Sequence, residues 1–112
     1  MSDCLFCKII DGSIPSKKAY EDDRAFAFHD IHPQAPTHVL IIPKKHIAQV
    51  SLMAADDKEL IGHIHWVAGQ LAKQLGLTDF RLVTNNGAEA GQTVFHVHFH
   101  LLAGRPLQWP PG

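Results

Sequence analysis

Apolar residues along this 112-residue chain change period several times, and each change marks an element. Leu5, Phe6, Ile9 and Ile10 fall at helical spacing and stop at Asp11-Gly12, which predicts a short helix over residues 4–10 closed by glycine. Ile14-Pro15 then starts an extended segment. Tyr20 leads through Glu21-Asp22-Asp23, a turn composition, into residues 24–30, where Phe26 and Phe28 share one face of a strand. The pair reads as a hairpin. Pro33 and Pro36 interrupt the chain before residues 38–43, a β-branched apolar run typical of a central strand. From Asp56 the period lengthens: Leu60, Ile61, Ile64, Val67, Ala68, Leu71 and Leu75 form one helical stripe, with Asp56, Asp57 and Glu59 at its positive end and Gly76 closing it. Residues 80–84 and 95–102 read as two further strands, separated by Asn85-Asn86-Gly87 and Gly91. The order predicts an α+β fold with a mainly antiparallel sheet.

A chain of this length supports one core, so residues 1–112 read as a single domain without a linker. With 46% hydrophobic and 19% charged residues the composition is that of a folded globular protein. A formal net charge of −1 argues against nonspecific nucleic-acid binding, which draws on a surplus of Lys and Arg. A small phosphorylated ligand needs no such surplus. No basic-then-apolar leader precedes Asp3 and no apolar run is long enough for a bilayer, so the expectation is a cytoplasmic protein without a membrane partner. In a reducing compartment Cys4 and Cys7 are expected as thiols or metal ligands. What stands out is histidine, present nine times, because imidazole serves near neutral pH as nucleophile, acid, base or metal ligand.

Three of these histidines alternate in His96-Val97-His98-Phe99-His100. On a strand, Phe95, Val97, Phe99 and Leu101 would pack inward while the imidazoles share the other face, their backbone positions roughly 6.6 Å apart. Mutual repulsion keeps at least one ring neutral and nucleophilic near pH 7. The run by itself reads equally as a metal site. Immediately upstream, Asn85 and the loop over residues 87–93 supply an amide, a hydroxyl and flexible backbone N–H groups, which suits a phosphate cradle.

His96-Val97-His98-Phe99-His100-Leu101-Leu102 resembles the motif of the histidine triad family. Further stretches resemble its nucleotide-binding protein branch: Phe28-His29-Asp30-Ile31, Pro33-Gln34-Ala35-Pro36-Thr37-His38, Ile42-Pro43-Lys44-Lys45-His46-Ile47, Gly91-Gln92-Thr93-Val94 and Trp109-Pro110-Pro111-Gly112. The resemblance implies the histidine triad (HIT) fold, with about five strands, one long and one short helix, and a sheet continued across a homodimer. It implies a hydrolase of purine nucleoside 5′-phosphoramidates, releasing AMP or GMP and an amine without a metal, and acting in some members on aminoacyl adenylates. By position His98 corresponds to the nucleophile that becomes nucleotidylated. His100 and Asn85 would hold phosphate oxygens, with Gly91, Gln92, Thr93 and Val94 supplying donors around the developing charge. His38 and His96 would orient the site and relay protons. Asp30 would accept from the ribose hydroxyls, and Leu5, Phe6, Ile9, Phe28, His29 and Ile31 would enclose the purine. Residues 103–112 correspond to a C-terminal tail that reaches the partner subunit, making Trp109 a candidate for leaving-group selection. The exposed side of the long helix, with His63, His65 and Trp66, is a candidate dimer face.

Thr93 stands where relatives carry serine, and His32 replaces another usual serine. The pair Cys4-Leu5-Phe6-Cys7 resembles that of other bacterial members, in which two cysteines bind zinc with the histidines matching His46 and His96. Here the same residues read either as a closed structural zinc site or as two buried thiols. Outside enzymology, a nucleotide-sensing interaction module with negligible turnover fits the same residues, and a zinc-dependent hydrolase using the histidine run as ligands is the third reading.

Overall fold

A computed structural model describes residues 3–112. Helix α1 spans Leu5–Ile10, followed by strands β1 (Lys18–Glu21), β2 (Ala25–His29) and β3 (Thr37–Pro43). Helix α2 (Lys58–Gln74) crosses back to β4 (Arg81–Val83) and β5 (Phe99–Ala103). The strands form one antiparallel sheet in the order β1-β2-β3-β5-β4. This is the expected α+β arrangement.

Alternation along the strands divides the sheet into two faces. Ala25, Ala27, Val39, Ile41, Phe99 and Leu101 pack under α2 against Ile64, Val67, Ala68 and Leu71. On the opposite face Phe26, Phe28, Leu40 and Ile42 meet Phe6 and Ile9 of α1. The second face is only partly covered, because a helix of six residues shields less than one of seventeen. The functional residues gather beside that short helix.

Local chemistry fixes the joints. Asp22 closes the β1–β2 turn by accepting from the backbone N–H groups of Arg24 and Ala25 at 2.8 and 2.7 Å. The C-terminus of α2 ends on Gly76 at φ +72°, with Leu77 N–H returning to the Ala72 carbonyl at 2.8 Å.

One predicted element is shorter than the pattern suggested. Residues 95–98 run as irregular chain ahead of β5, and Phe95 is 44% exposed instead of packed in the core. The cause is a different backbone partner: Val97 N–H donates to the Ile47 carbonyl at 2.7 Å, tying the segment to the chain that follows β3. Residues 96–99 are consequently all buried, and the two-residue alternation begins only at Phe99. Leu75, expected on the apolar stripe, is 40% exposed where it caps α2. Among the described residues no helix is long and apolar enough to cross a membrane.

Candidate active site

The register of β3 and β5 sets the first pair of histidines. Leu40 lies opposite His100 and His38 opposite Leu102, so His38 and His100 are diagonal neighbours on the α1 side of the sheet. His38 Nε2 lies 2.9 Å from His100 Nδ1. Gln34 N–H donates to His38 Nδ1 at 3.0 Å, so that nitrogen is the acceptor and His38 carries its proton on Nε2. His38 therefore donates to His100 Nδ1, which leaves the His100 proton on Nε2. Among the described residues that atom has no hydrogen-bond partner and no buried side-chain N or O lacks one, so it opens to the cavity as a donor. Asp30 Oδ2 stands 3.4 Å from His38 Nε2, and its Oδ1 accepts from His32 N–H at 2.8 Å.

His98 has the opposite polarity. Its Nδ1 lies 2.8 Å from the His96 carbonyl, which only accepts, so Nδ1 carries the proton and Nε2 presents a lone pair. The two rings are 5.0 Å apart between centroids, placing an electron-pair donor beside a hydrogen-bond donor. Burial pushes the His38, His98 and His100 imidazoles below the usual value, with Asp30 partly opposing it in each. His100 is lowered to about 4, with the charges of His98 and His38 adding to burial. At neutral pH these rings are uncharged, and the tautomers just assigned apply.

Both atoms face a cavity of about 330 Å³. Leu5, Phe6 and Ile9 of α1 form one wall, and Phe28, His29, Asp30 and Ile31 another. Thr93 and Val94 line it as well, together with His98 and His100. The Phe6 ring meets Phe28 edge-on at 5.5 Å and His98 at 5.1 Å, so the apolar slot runs up to the lone pair. The structure thus brings together most of the pocket expected from the sequence. It adds Ile14, Pro15, Ser16, His32 and Leu40. Leu40 was legible as the β3 residue on the Phe26 and Phe28 face; the others come from turns whose path no periodicity reveals.

Six of the expected residues, His38, Asn85, Gly91, Gln92, His96 and Trp109, do not line this cavity. His38 sits behind His100 and reaches the cavity only through it. Gln92 is buried and spends its amide on the loop itself: Oε1 accepts from Gly87 N–H at 2.8 Å, and Nε2 donates to the Ala48 and Val94 carbonyls at 2.8 and 3.1 Å. Gly91, at φ +105°, lets the loop turn beside Asn85, whose amide would lie 3.4 Å from any added Cβ. Trp109 is 80% exposed with the Arg81 guanidinium 6.0 Å from its ring centroid.

His96 also turns away, and its surroundings differ in kind. Fully buried, it donates from Nε2 to the Pro43 carbonyl at 2.7 Å, which aims the Nδ1 lone pair elsewhere. Cys4 Sγ, Cys7 Sγ and His46 Nδ1 meet that nitrogen at 3.3, 3.6 and 3.2 Å, and His46 Nδ1 lies 3.5 Å from Cys7 Sγ. All four donor atoms lie within 4.8 Å of one another. A tetrahedral ion bound to sulfur at about 2.3 Å and to nitrogen at about 2.0 Å separates its ligands by roughly 3.3–3.8 Å. The cluster fits zinc in donor chemistry and in spacing. The Pro43 carbonyl is the outer-shell acceptor that fixes a metal-ligating imidazole.

An α+β sheet presents a lone-pair imidazole beside a proton-bearing one, at the end of an apolar slot with a carboxylate, an arrangement chemically able to deliver a histidine nucleophile. Comparison with known proteins gives the family. The HIT domain model matches residues 11–107. An uncharacterized HIT-like protein of Synechocystis is 55% identical over 111 residues, covering 98% of this chain and 97% of that one. A HIT family hydrolase of Legionella pneumophila superposes with a TM-score of 0.96 at 52% identity, covering 98% of this chain and 100% of the other. A histidine triad nucleotide-binding protein of Candida albicans superposes at 0.83 with 40% identity, over 96% and 83% of the two chains. This chain belongs to the HIT family.

Proposed function

We propose that this protein hydrolyses purine nucleoside 5′-phosphoramidates, as a phosphoramidase of the histidine triad nucleotide-binding branch. The observation that carries the reading is the pair of opposed tautomers, a lone pair on His98 Nε2 beside a donor on His100 Nε2. The purine enters the apolar slot lined by Leu5, Phe6, Ile9, Phe28 and Ile31, and the ribose hydroxyls donate to Asp30. His98 Nε2 then attacks the α-phosphorus while the P–N bond breaks, the electron pair leaving on nitrogen, which takes a proton from solvent as the amine departs. Positive charge developing on the His98 ring is eased by its Nδ1–H bond to the His96 carbonyl. His100 Nε2–H, the Thr93 hydroxyl and the backbone N–H groups of Thr93 and Val94 hold the phosphoryl oxygens. Water displaces His98 from the resulting nucleotidyl-histidine, releasing AMP or GMP.

Structural zinc at Cys4, Cys7, His46 and His96 belongs to the same proposal, and it would contribute to folding rather than to the reaction. So do a single domain, a homodimer whose C-terminal tail brings Trp109 to the neighbouring site, and a cytoplasmic location. The test is AMP release from an adenosine 5′-phosphoramidate by wild type, His98→Gly and Asp30→Ala. Loss of at least about 10³-fold in kcat/KM for His98→Gly, with AMP still bound, fits the enzyme. Undetectable wild-type turnover alongside AMP binding that depends on Asp30 would instead favour a nucleotide sensor.

A further inference from the structure

The four-residue cluster and the purine slot share one element. Helix α1 has only six residues, too few to hold its own conformation in water. Its Leu5, Phe6 and Ile9 wall the slot, while Cys4 and Cys7, on either side of Leu5 and Phe6, meet His46 and His96. His96 is the fixed partner, fully buried and bonded to the Pro43 carbonyl. The contacts between the four donor atoms, at 3.2–3.6 Å, are far weaker than coordinate bonds to an ion.

We propose that a metal ion held by Cys4, Cys7, His46 and His96 sets the affinity for the purine by pinning α1 as the wall of its slot. Cys4, Cys7 and His46 are in this sense positioning residues for the nucleobase. The inference rests on the nucleotide reading of the cavity given above. The remaining contacts to a nucleotide come from elements outside α1: Asp30 follows β2, Thr93 and Val94 belong to the loop before β5, and His98 and His100 lie at β5. Metal loss therefore weakens recognition of the base and spares recognition of ribose and phosphate. The ion is also reachable in the folded protein, because a cavity of about 580 Å³ lined by Cys4, Leu5, His46, Thr93 and Phe95 opens beside the cluster.

The experiment is calorimetric titration of zinc-loaded and chelator-stripped protein with AMP and with ribose 5-phosphate, zinc content being measured on each sample. Circular dichroism confirms that each sample is folded. Stripping is expected to raise the Kd for AMP about tenfold and that for ribose 5-phosphate less than twofold, with recovery on adding zinc. His46→Asn, changed at an exposed ligand, should bind AMP as the stripped protein does and recover less with zinc. An unchanged AMP Kd after zinc has been removed overturns the inference, as does equal weakening of both ligands or a failure of the reduced protein to take up zinc. If the zinc-loaded protein binds neither ligand, the nucleotide reading falls and this inference falls with it. AMP binding that is strong and indifferent to zinc overturns the inference alone.

Discussion

Gln92 lies in a loop whose composition invites a ligand-contact reading, yet its side chain is committed to the protein. Replacing it with alanine removes three hydrogen bonds, to Gly87 N–H, the Ala48 carbonyl and the Val94 carbonyl. Each contributes about 1 kcal/mol net. Loss of the buried Cγ methylene adds about 0.8 kcal/mol, partly offset by water reaching the half-buried backbone groups and by side-chain entropy no longer lost on folding. The net expectation is about 3 kcal/mol of destabilisation, which for a domain of this size lowers Tm by roughly 10–20 °C. Urea unfolding at a fixed protein concentration measures it. Gln92→Glu discriminates between hydrogen bonding and filling of space, because a carboxylate accepts from Gly87 N–H but then faces two carbonyl oxygens with no proton to offer. It should be at least as damaging as alanine at pH 7. A loss below about 1 kcal/mol for Gln92→Ala, or a tolerated Gln92→Glu, would show that the amide does not hold the loop.

Two further outcomes follow from the same geometry. His100 is lowered from 6.5 to about 4 in the folded chain, so between these values the unfolded chain binds the extra proton. Its contribution to stability is lost as pH falls from 6.5 towards 4, on the order of 3 kcal/mol in all. Urea titrations across this range should show a shallower pH dependence in His100→Asn, and an unchanged slope would contradict the assignment. Gly104 has φ +100°, and an added Cβ would lie 2.8 Å from Pro36 Cβ. Gly104→Ala should therefore cost about 2 kcal/mol or more in unfolding free energy, by strain and collision together; a cost within about 0.5 kcal/mol would mean that the turn yields freely.

Much of this architecture was legible in the chain, for reasons that differ from place to place. α2 announces itself because one long face packs on a sheet, and β3 because a buried central strand leaves an uninterrupted apolar run. Alternation on β2 placed Phe26 and Phe28 on one face, of which Phe28 lines the slot, while the slot itself was legible only through the family resemblance. Residues 95–98 were not: alternating apolar and histidine residues look like a strand, but the Ile47 carbonyl takes the Val97 N–H and the His96 ring points at Cys4 and Cys7. Local periodicity carries no trace of either long-range partner. For the same reason Gln92 read as a ligand contact, its bond to Ala48 spanning 44 positions. The tautomers of His98 and His100 were likewise beyond the sequence. They depend on which backbone group each ring meets, the Gln34 amide for His38 and the His96 carbonyl for His98.

Under the proposed function, that assignment makes His98 Nε2 the atom expected to bond to phosphorus. Rapid quenching of wild type with an adenosine 5′-phosphoramidate, followed by peptide mass spectrometry, reads the bond itself. The expected result is a peptide carrying one AMP on His98, formed and consumed as fast as AMP is released. AMP released at the full rate with no adduct, or an adduct on His96 or His100, would contradict His98 as the nucleophile.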